Sequence, residues 1–300
     1  MISLKQIRYA LAVAKTLHFK KAAERCSVSQ SALSTAITEM EKQLGFQVFE
    51  RDNKKVLITA LGKQCLDIAK DIQMRVNDLE ALGSTLDEPL SHPMSLGVIP
   101  TIGPYLLPKT LPGVREKHPN FQLRIVEQQS RVLVDMVKTG ELDTAILALP
   151  YDINGLLSFQ FWKEDFYWIA HKDNNDANKL EITGDELKQS KLMLLQEGHC
   201  LKDHVLAACK LQSNETDNSL ASTSLNTLIQ MVAGRMGTTL VPEMALDQLI
   251  QSNSELRAIH LNEPGPHRGI AFITRPNYGN LKSVEILMSL FAEGLSNTNS

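Results

Sequence analysis

The chain has 300 residues, of which 43% are apolar and 22% are charged, so it has the composition of a folded protein and the length of two domains. No apolar run approaches the roughly 18 residues of a membrane-spanning helix, and the first residues lack the basic start and apolar run of a secretory signal. Four cysteines are too few for a secreted disulfide scaffold. We therefore expect a cytoplasmic protein with reduced thiols and no membrane partner.

The net charge of −3 conceals an uneven distribution. Residues 1–65 carry a net charge of +6, whereas residues 66–300 carry a net charge of −9. A basic head on an acidic body predicts that only the head contacts a polyanion such as nucleic acid. The alternative at this point is a chance fluctuation in surface charge.

The first 45 residues have the pattern of three helices. The apolar face of the first helix is predicted to consist of Leu4, Ile7, Leu11, Ala14 and Leu17. The second is short, spans about residues 20–26 and buries Ala22, Ala23 and Cys26. Ser29 then has the chemistry of a helix N-cap, and Gly45 is suited to end the third helix, which buries Leu33, Ile37, Met40 and Leu44. Two helices joined by the turn at residues 27–28 have helix-turn-helix spacing.

The exposed start of the third helix carries hydroxyl and amide side chains that can hydrogen-bond to base edges in a major groove. The predicted DNA-binding residues there are Ser29, Gln30, Ser31, Ser34 and Thr35. Short strands at residues 48–49 and 56–58 flank a basic tip, which predicts a wing that contacts phosphates through Arg51, Lys54 and Lys55. The alternative is a small helical bundle with a solvated polar face.

Thr59 can cap a long helix, because the apolar residues after it follow at steps of three or four. They are Leu61, Cys65, Ile68, Ile72, Val76, Leu79, Leu82 and Leu86. A stripe about 40 Å long is too long and narrow for the core of a small head, so it predicts a homodimer seam and a connector. Paired recognition helices would then contact half-sites in double-stranded promoter DNA about one turn apart.

Several motifs in the first 88 residues occur in an order typical of one family. They are Ala22-Ala23, residues 28–34, Ile37, Leu44-Gly45, residues 49–51 and residues 59–62. Together they resemble the DNA-binding head of LysR-type transcriptional regulators, although many members have proline where this chain has Ser31. The resemblance implies a mainly α-helical winged helix-turn-helix over residues 1–58, a dimerising linker helix over residues 59–88 and a regulatory domain over residues 89–300.

From Met94 onward, predicted strands alternate with predicted helices. The strands are expected at residues 96–99, 121–126, 144–149, 167–170, 192–195, 238–241 and 270–274, and the helices near residues 133–137, 224–233 and 281–291. This alternation predicts parallel α/β sheets covered by helices. The family resemblance implies two subdomains similar to periplasmic binding proteins, the first about residues 91–163 and 270–300 and the second about residues 164–269.

Two hydroxyl residues follow predicted strands in this domain. Thr101 comes after the strand at residues 96–99, and Ser130 comes after the strand at residues 121–126. Ligands of such folds bind beyond the carboxyl ends of strands, so we expect both hydroxyls to face the cleft between the subdomains. The alternative is that each side chain caps the helix that follows it.

The four cysteines differ in their predicted settings. Cys26 and Cys65 lie on apolar helical faces and are expected to be buried. Cys200 begins a predicted helix after His199, where the helix dipole favours a thiolate and hence a reactive thiol. Cys209 is nine residues further on, about 13 Å along an intact helix, whereas a disulfide needs α-carbons roughly 4.4–6.8 Å apart. A disulfide between them would therefore require the helix to unwind, which would be a redox switch.

Two alternatives stay open for these cysteines on the residues alone. Both could be inert core residues. Otherwise His199, Cys200, His204 and Cys209 could bind zinc, although their spacing is atypical and contains no C-x-x-C pair.

Residues 97–108, Leu142-Asp143, 146–149 and 197–203 closely resemble the hydrogen-peroxide-sensing activators of the LysR type. The resemblance implies that Cys200 is the peroxidatic and Cys209 the resolving thiol, both redox-active. It also implies a peroxide site formed by Thr101, Ser130, His199, Asp203 and Arg268. Ser130 stands where a threonine is expected but keeps the hydroxyl, and residues 210–218 match poorly.

We therefore expect a transcription activator, not an enzyme, with no cofactor and no metal. Its expected partners are promoter DNA, hydrogen peroxide, a second copy in a homodimer that pairs into a homotetramer, and RNA polymerase. The alternatives are a LysR-type regulator gated by a small organic co-inducer in the interdomain cleft and a thiol peroxidase that also binds DNA.

Overall fold

The computed structural model describes residues 1–52, 55–84, 89–188, 190–196, 198–211, 224–251 and 253–297. Lys54, Leu86 and Glu197 lie outside these residues, as do residues 212–218 of the poorly matching segment, and only the backbone is described at Arg51, Lys55 and Leu82. The chain divides into two compact units, Met1–Leu86 and Asp87–Ser300. In the described part of the chain, no helix is long and apolar enough to cross a membrane.

The first unit is a winged helix-turn-helix followed by a long helix, as the sequence predicts. Its elements are α1 (Leu4–Thr16), α2 (Phe19–Arg25), α3 (Gln30–Leu44), β1 (Phe49–Asp52), β2 (Lys55–Ile58) and α4 (Ala60–Ser84). The strands β1 and β2 form an antiparallel hairpin, which is the wing. Tyr9, Val13, Leu33 and Ile37 lie in the core of this unit.

The helix ends are fixed by the caps that the sequence indicates. The Ser29 hydroxyl accepts a hydrogen bond from the Ala32 amide at 3.2 Å, so α3 begins directly after Ser29. Gly45 adopts the left-handed conformation (φ 77°) that ends α3. The Thr59 hydroxyl accepts from the Gly62 amide at 2.8 Å at the start of α4.

The predicted apolar face of α1 is wrong at both ends. Leu4 and Leu17 are exposed, and the buried apolar residues are Ile7, Tyr9, Ala10 and Val13. Leu17 lies outside the helix as its left-handed C-cap, so it cannot continue the periodicity. The direction of the core is set by the packing of α2, α3 and α4 against α1, which periodicity within α1 alone does not specify.

The second unit contains two sheets with helices packed against them, and the predicted α/β architecture of two subdomains is confirmed. Its strands are β3 (Met94–Val98), β4 (Leu123–Glu127), β5 (Thr144–Leu149), β6 (Leu157–Glu164), β7 (Phe166–His171), β8 (Glu181–Ile182), β9 (Thr239–Pro242), β10 (Leu256–Leu261) and β11 (Arg268–Thr274). Its α-helices are α5 (Gly103–Lys117), α6 (Ser130–Lys138), α7 (Gly184–Leu187), α8 (Cys200–Ala208), α9 (Leu225–Ala233), α10 (Leu246–Leu249) and α11 (Leu281–Ser296).

Both sheets are mixed rather than parallel. The order in the larger sheet is β4-β3-β5-β11-β6, and in the smaller sheet β8-β10-β7-β9. Strand β3 pairs in parallel with β4 and β5, whereas β11 pairs antiparallel with β5 and β6. The chain passes from the larger sheet to the smaller one between β6 and β7, and it returns to the larger sheet between β10 and β11. Strand β11 therefore runs antiparallel to its neighbours β5 and β6.

The predicted strand at residues 192–195 is also wrong. This segment is buried, but Leu192 makes only an isolated bridge to Thr238 rather than a strand ladder. Burial accounts for its apolar composition, which is the signal that predicted a strand. Conversely, β6, β10 and α5 have no counterpart among the predicted elements.

Candidate functional site

Cys200 and Cys209 mark the two ends of one helix. Cys200 is the first residue of α8 and Cys209 is its C-cap. Both side chains are buried, with 3% and 2% exposure, and both are free thiols. The intact helix keeps their α-carbons about 13 Å apart, far beyond the reach of a disulfide.

The Cys200 thiol lies at the carboxyl ends of the parallel strands of the larger sheet. Thr101 follows β3, Ser130 follows β4, and Ala148 is near the end of β5. Neighbouring parallel strands end at the same edge, so residues that are distant in sequence meet there. The backbone of Ala148 and the Ser130 hydroxyl both lie beside the thiol. The alignment at Ser130 falls short of a full hydrogen bond, since its Oγ is buried without a well-oriented partner.

A fully buried ion pair supports this site. Arg268 Nε and Nη2 each lie 2.7 Å from Glu164 Oε1, and both side chains are excluded from solvent. The guanidinium also donates to the Thr101 hydroxyl at 3.3 Å and to the Thr101 carbonyl at 3.1 Å. Glu164 Oε2 accepts from the Met244 amide at 2.8 Å. Because Glu164 ends β6 and Arg268 begins β11, the pair lies where the chain passes between the two sheets.

The environment of Cys200 raises its pKa rather than lowering it. Burial is the largest cause, and the nearby Asp203 carboxylate adds to it. Ser130, Arg268 and the Ala148 backbone act in the opposite direction and lower the pKa. The expectation of a more acidic thiol at the helix start is therefore wrong, because desolvation of the thiolate outweighs these stabilising contacts.

The pKa of the Cys209 thiol is also raised. Burial, together with the Glu263 carboxylate, raises the pKa of its thiol to about 12. Gly184 packs so closely that a β-carbon there would lie 2.6 Å from the Cys209 carbonyl oxygen. Cys209 is thus a protonated thiol held in a tightly packed position.

The structure brings four of the five predicted peroxide-site residues into the interior. Thr101, Ser130, His199 and Arg268 are buried, whereas Asp203 is exposed on α8. Burial lowers the pKa of His199, so this side chain is neutral at pH 7. Thr101 and Ser130 do not cap the helices that follow them, because the N-caps of α5 and α6 are Ile102 and Gln129. The capping alternative is therefore wrong.

Two buried residues near the thiol were not among the predicted peroxide-site residues. His204 lies one helical turn after Cys200, and its Nε2 is 2.8 Å from the Pro150 carbonyl oxygen. Its four-residue spacing from Cys200 was the available signal. No pattern in the sequence indicated that Glu164 belongs to the site, because its partner Arg268 is 104 residues away in sequence.

The arrangement of these side chains does not favour the alternative of a zinc site. Within the described residues, no three His, Cys, Asp or Glu side chains are grouped as a metal site would require. Cys200 and Cys209 in particular lie at opposite ends of α8, which separates the proposed zinc ligands.

Cys26 and Cys65 are half-buried at the edge of the head's core, so the expectation that they are buried is wrong.

The start of α3 presents the predicted DNA-contacting side chains. Ser29, Gln30, Ser31 and Thr35 are exposed, and Ser34 is half-buried. The Ser29 and Ser31 hydroxyls lie 3.1 Å apart, so this pair can form a hydrogen bond. The predicted phosphate contacts of the wing lie outside the described part of the chain, which excludes Lys54 and the side chains of Arg51 and Lys55.

The predicted stripe on α4 leaves large apolar side chains in solvent. Ile68 is 61% and Leu79 is 67% exposed, and Leu61 and Ile72 are also exposed. Leu66 and Ala69, on another face of α4, hold the helix to the head. Beside the stripe lies a groove of about 550 Å³ lined mainly by apolar residues of α1, α3 and α4. A surface patch of this kind is typical of a protein interface.

Comparison with known proteins identifies the family. Two family profiles match: "Bacterial regulatory helix-turn-helix protein, lysR family" over residues 4–63 and "LysR substrate binding domain" over residues 87–296. The HTH-type transcriptional regulator EstR of Acinetobacter baylyi is 38% identical, over 96% of this chain and 95% of the relative. The DNA-binding transcriptional dual regulator OxyR of Escherichia coli is 32% identical, over 92% and 90%.

Solved structures agree with this result. A full-length OxyR variant from Pseudomonas aeruginosa has a TM-score of 0.82 and 31% identity, over 97% of this chain and 95% of that one. A hydrogen-peroxide-bound OxyR variant from Corynebacterium glutamicum has a TM-score of 0.68 and 28% identity, over 99% and 94%. The predicted family is confirmed: the chain belongs to the LysR family of bacterial transcriptional regulators.

Proposed function

We propose that this LysR-family regulator is a transcription activator that responds to hydrogen peroxide by oxidation of Cys200 and formation of a disulfide with Cys209. The observation that carries the proposal is one helix, α8, with a buried thiol at each end. Support also comes from OxyR proteins that are similar over nearly the whole chain, one of which binds hydrogen peroxide. The domain boundaries that we propose lie near residue 58, between the DNA-binding domain and the linker helix, and near residue 88, between the linker helix and the regulatory domain.

The residues around Cys200 suit a small polar oxidant. Thr101 and Ser130 supply hydroxyls, His199 supplies a neutral imidazole, and Arg268 supplies a buried positive charge. A fixed positive charge stabilises the negative charge that develops on the departing peroxide oxygen. Asp203 occupies the solvent side of α8, where its carboxylate can influence the thiol only through space.

The proposed chemistry proceeds in two balanced steps. The Cys200 sulfur attacks one peroxide oxygen, an S–O bond forms, the O–O bond breaks, and the thiol becomes a sulfenic acid with release of water. The Cys209 thiol then displaces the hydroxyl of the sulfenic acid, forming the disulfide and a second water molecule. Sulfur is oxidised in the first step, and peroxide is reduced.

The second step cannot occur while α8 is intact, because the helix holds the thiols about 13 Å apart. Closing the disulfide must unwind α8 and withdraw Leu201 and Val205 from the core. Oxidation of the two thiols would therefore change the conformation of the regulatory domain. The remodelled surface would alter how regulatory domains pack in the assembly, and thereby the spacing of the DNA-binding heads.

The assembly that we propose is a homodimer through the apolar stripe of α4, which pairs further into a homotetramer. The exposed Ile68 and Leu79 would be covered by a second copy. The starts of two α3 helices would then enter the major grooves of two promoter half-sites, and each wing would contact phosphates. As an activator, the protein would also contact RNA polymerase.

The test is peptide mapping of the full-length protein after stoichiometric hydrogen peroxide, with Cys26 and Cys65 as internal controls. We expect one disulfide, Cys200 to Cys209, and two unmodified thiols. A main disulfide that contains Cys26 or Cys65 contradicts the proposal. Cys200→Ser should abolish the response. If that variant still responds to an organic effector, the protein is a co-inducer-gated regulator, and sustained peroxide turnover in the wild type would make it a peroxidase.

The resolving role has its own test in Cys209→Ser. This variant should form a sulfenic acid at Cys200 yet switch poorly, because no covalent bond holds the remodelled state. In the wild type, hydrogen exchange over residues 201–209 should rise on oxidation, together with a changed DNA footprint. Full activation of Cys209→Ser with unchanged exchange would show that oxidation of Cys200 alone is the signal.

A further inference from the structure

His204 occupies an unusual position for a buried histidine. It lies four residues after Cys200, so the two side chains are neighbours on one face of α8. His204 is only 4% exposed. Its Nε2 is 2.8 Å from the Pro150 carbonyl oxygen, and a carbonyl can only accept, so Nε2 carries the proton. Nδ1 is therefore a lone-pair acceptor.

This acceptor has no partner. Among the residues that the structure describes, Nδ1 of His204 is buried and makes no hydrogen bond. Buried polar atoms are nearly always paired, and the exceptions are typical of sites that bind or transform a ligand. The acceptor thus remains available beside the thiol.

The two groups have complementary protonation states. Burial raises the pKa of Cys200, so its thiol keeps its proton at pH 7 and must lose it to become a nucleophile. Burial lowers the pKa of His204, so its imidazole is neutral and can accept a proton. Arg268 lowers and Asp203 raises the pKa of both groups. Tyr151, after β5, is a further titratable group near the thiol, and Glu164 forms a buried ion pair with Arg268.

We infer that His204 Nδ1 accepts the Cys200 proton when peroxide reacts, an inference that rests on the proposed function. Residues at this helical spacing have β-carbons about 5–6 Å apart, a gap that a bound peroxide or water molecule can bridge. The sulfur attacks one peroxide oxygen, the S–O bond forms and the O–O bond breaks. The departing hydroxide takes the proton back from Nδ1 and leaves as water. Cys200 ends as a sulfenic acid, and His204 ends unchanged.

The experiment measures the rate of Cys200 sulfenic-acid formation against pH in the full-length chain, with Cys209→Ser as background. His204→Gln is the matched variant, because its amide can still donate to the Pro150 carbonyl but cannot take up a proton. A general base typically contributes about 10²–10⁴-fold. We expect His204→Gln to react at least about tenfold more slowly at pH 7 and to approach the parent rate at high pH, where the thiolate forms without a base.

The parent protein gives a second measurement that needs no folded His204 variant. Its rate should fall at a pH lower than the ordinary histidine pKa of about 6.5, because burial lowers the pKa of His204 and its imidazole becomes protonated only there. A control variant, His199→Gln, should keep this decrease. The inference is overturned by a parent rate without the decrease, by loss of the decrease in His199→Gln, or by a His204→Gln rate that is unchanged or uniformly lower at every pH.

The same data distinguish a failure of the proposed function from a failure of the role of His204. If Cys200 of the parent protein is not oxidised by stoichiometric peroxide, the proposed function fails and the role of His204 fails with it. If Cys200 is oxidised and the pH profile does not depend on His204, only the role of His204 fails.

Discussion

The two units of the protein place their functional side chains in opposite environments. In the head, Gln30 and Thr35 face solvent, and so do apolar residues such as Ile68. In the regulatory unit, Cys200 and the Arg268–Glu164 pair are excluded from solvent. The predicted DNA-contacting side chains of the head are therefore accessible to a large partner, whereas the thiol and the ion pair of the regulatory unit are not.

This difference predicts different consequences of mutation. An exposed side chain can be replaced with a loss of binding and little loss of folding stability. A buried polar side chain supports both the site and the fold, so its replacement affects both. The following experiments test that contrast, from the largest expected effect to the smallest.

The largest effect is expected for Arg268→Met. The change leaves the Glu164 carboxylate buried without its partner, which costs about 3–5 kcal/mol of unfolding free energy. Urea denaturation measures it. The double variant Arg268→Met/Glu164→Gln should recover most of the loss, since no charge remains buried. Lys179→Met, which breaks exposed ion pairs with Asp176 and Glu186, is the control and should change stability little. A small loss in Arg268→Met would contradict the structural role of the pair.

Ile68→Asp should break the proposed dimer. A carboxylate in the centre of the apolar stripe cannot be desolvated without a partner, so dimer affinity should fall about a hundredfold or more while the head stays folded. Sedimentation and DNA binding measure the effect. Asn77→Asp is the matched control, because nine residues place it about 180° around α4 from Ile68. Equal loss of dimer in both variants would mean that the stripe is not the seam.

Gln30→Ala should relax sequence preference at one base pair by about 1–3 kcal/mol. The reason is loss of a base-edge contact at the start of α3, and competition binding with single-base variants of the site measures it. Affinity for unrelated DNA should stay close to that of the wild type. Equal losses on specific and unrelated DNA would refute the assignment of the recognition helix.

Lys55→Ala should weaken binding to all sequences alike. It should also lower the salt slope of log K by about one, because one phosphate contact is lost. Titrations at several salt concentrations give both quantities. A change in base preference without a change in slope would show that the wing contacts bases instead.

The smallest effect concerns stability against pH. Burial holds the pKa of His204 below its unfolded value, so the unfolded chain takes up more protons as pH falls below about 6.5. The folded state should therefore lose stability between pH 7 and pH 5.5. His204→Gln should make this loss shallower in urea denaturation. An unchanged slope would show that the buried imidazole is not responsible.

The sequence alone was sufficient for the features that depend on neighbouring residues. The cap at Ser29, the end of α3 at Gly45 and the stripe on α4 follow from side-chain chemistry and helical spacing. The position of Cys200 at a helix start is local in the same way. The motifs of the head were local as well, which is why they indicated the LysR family.

Periodicity alone could not orient the elements. It indicated a face of α1 whose ends, Leu4 and Leu17, are exposed, because the side that is buried depends on which elements pack against it. It also indicated parallel sheets, whereas β11 runs antiparallel to β5 after its return from the smaller sheet. Strand direction depends on chain topology, for which no local pattern exists.

What the sequence determined by itself was the family, the order of the domains and the two thiols at the ends of one helix. Only the tertiary structure decided the environment of those thiols. The pKa of Cys200 depends on burial and on Ser130 and Arg268, and Arg268 is itself paired with Glu164 from another strand. Desolvation and Coulomb interactions act through space between residues far apart in the chain, so they are fixed only when the chain has folded.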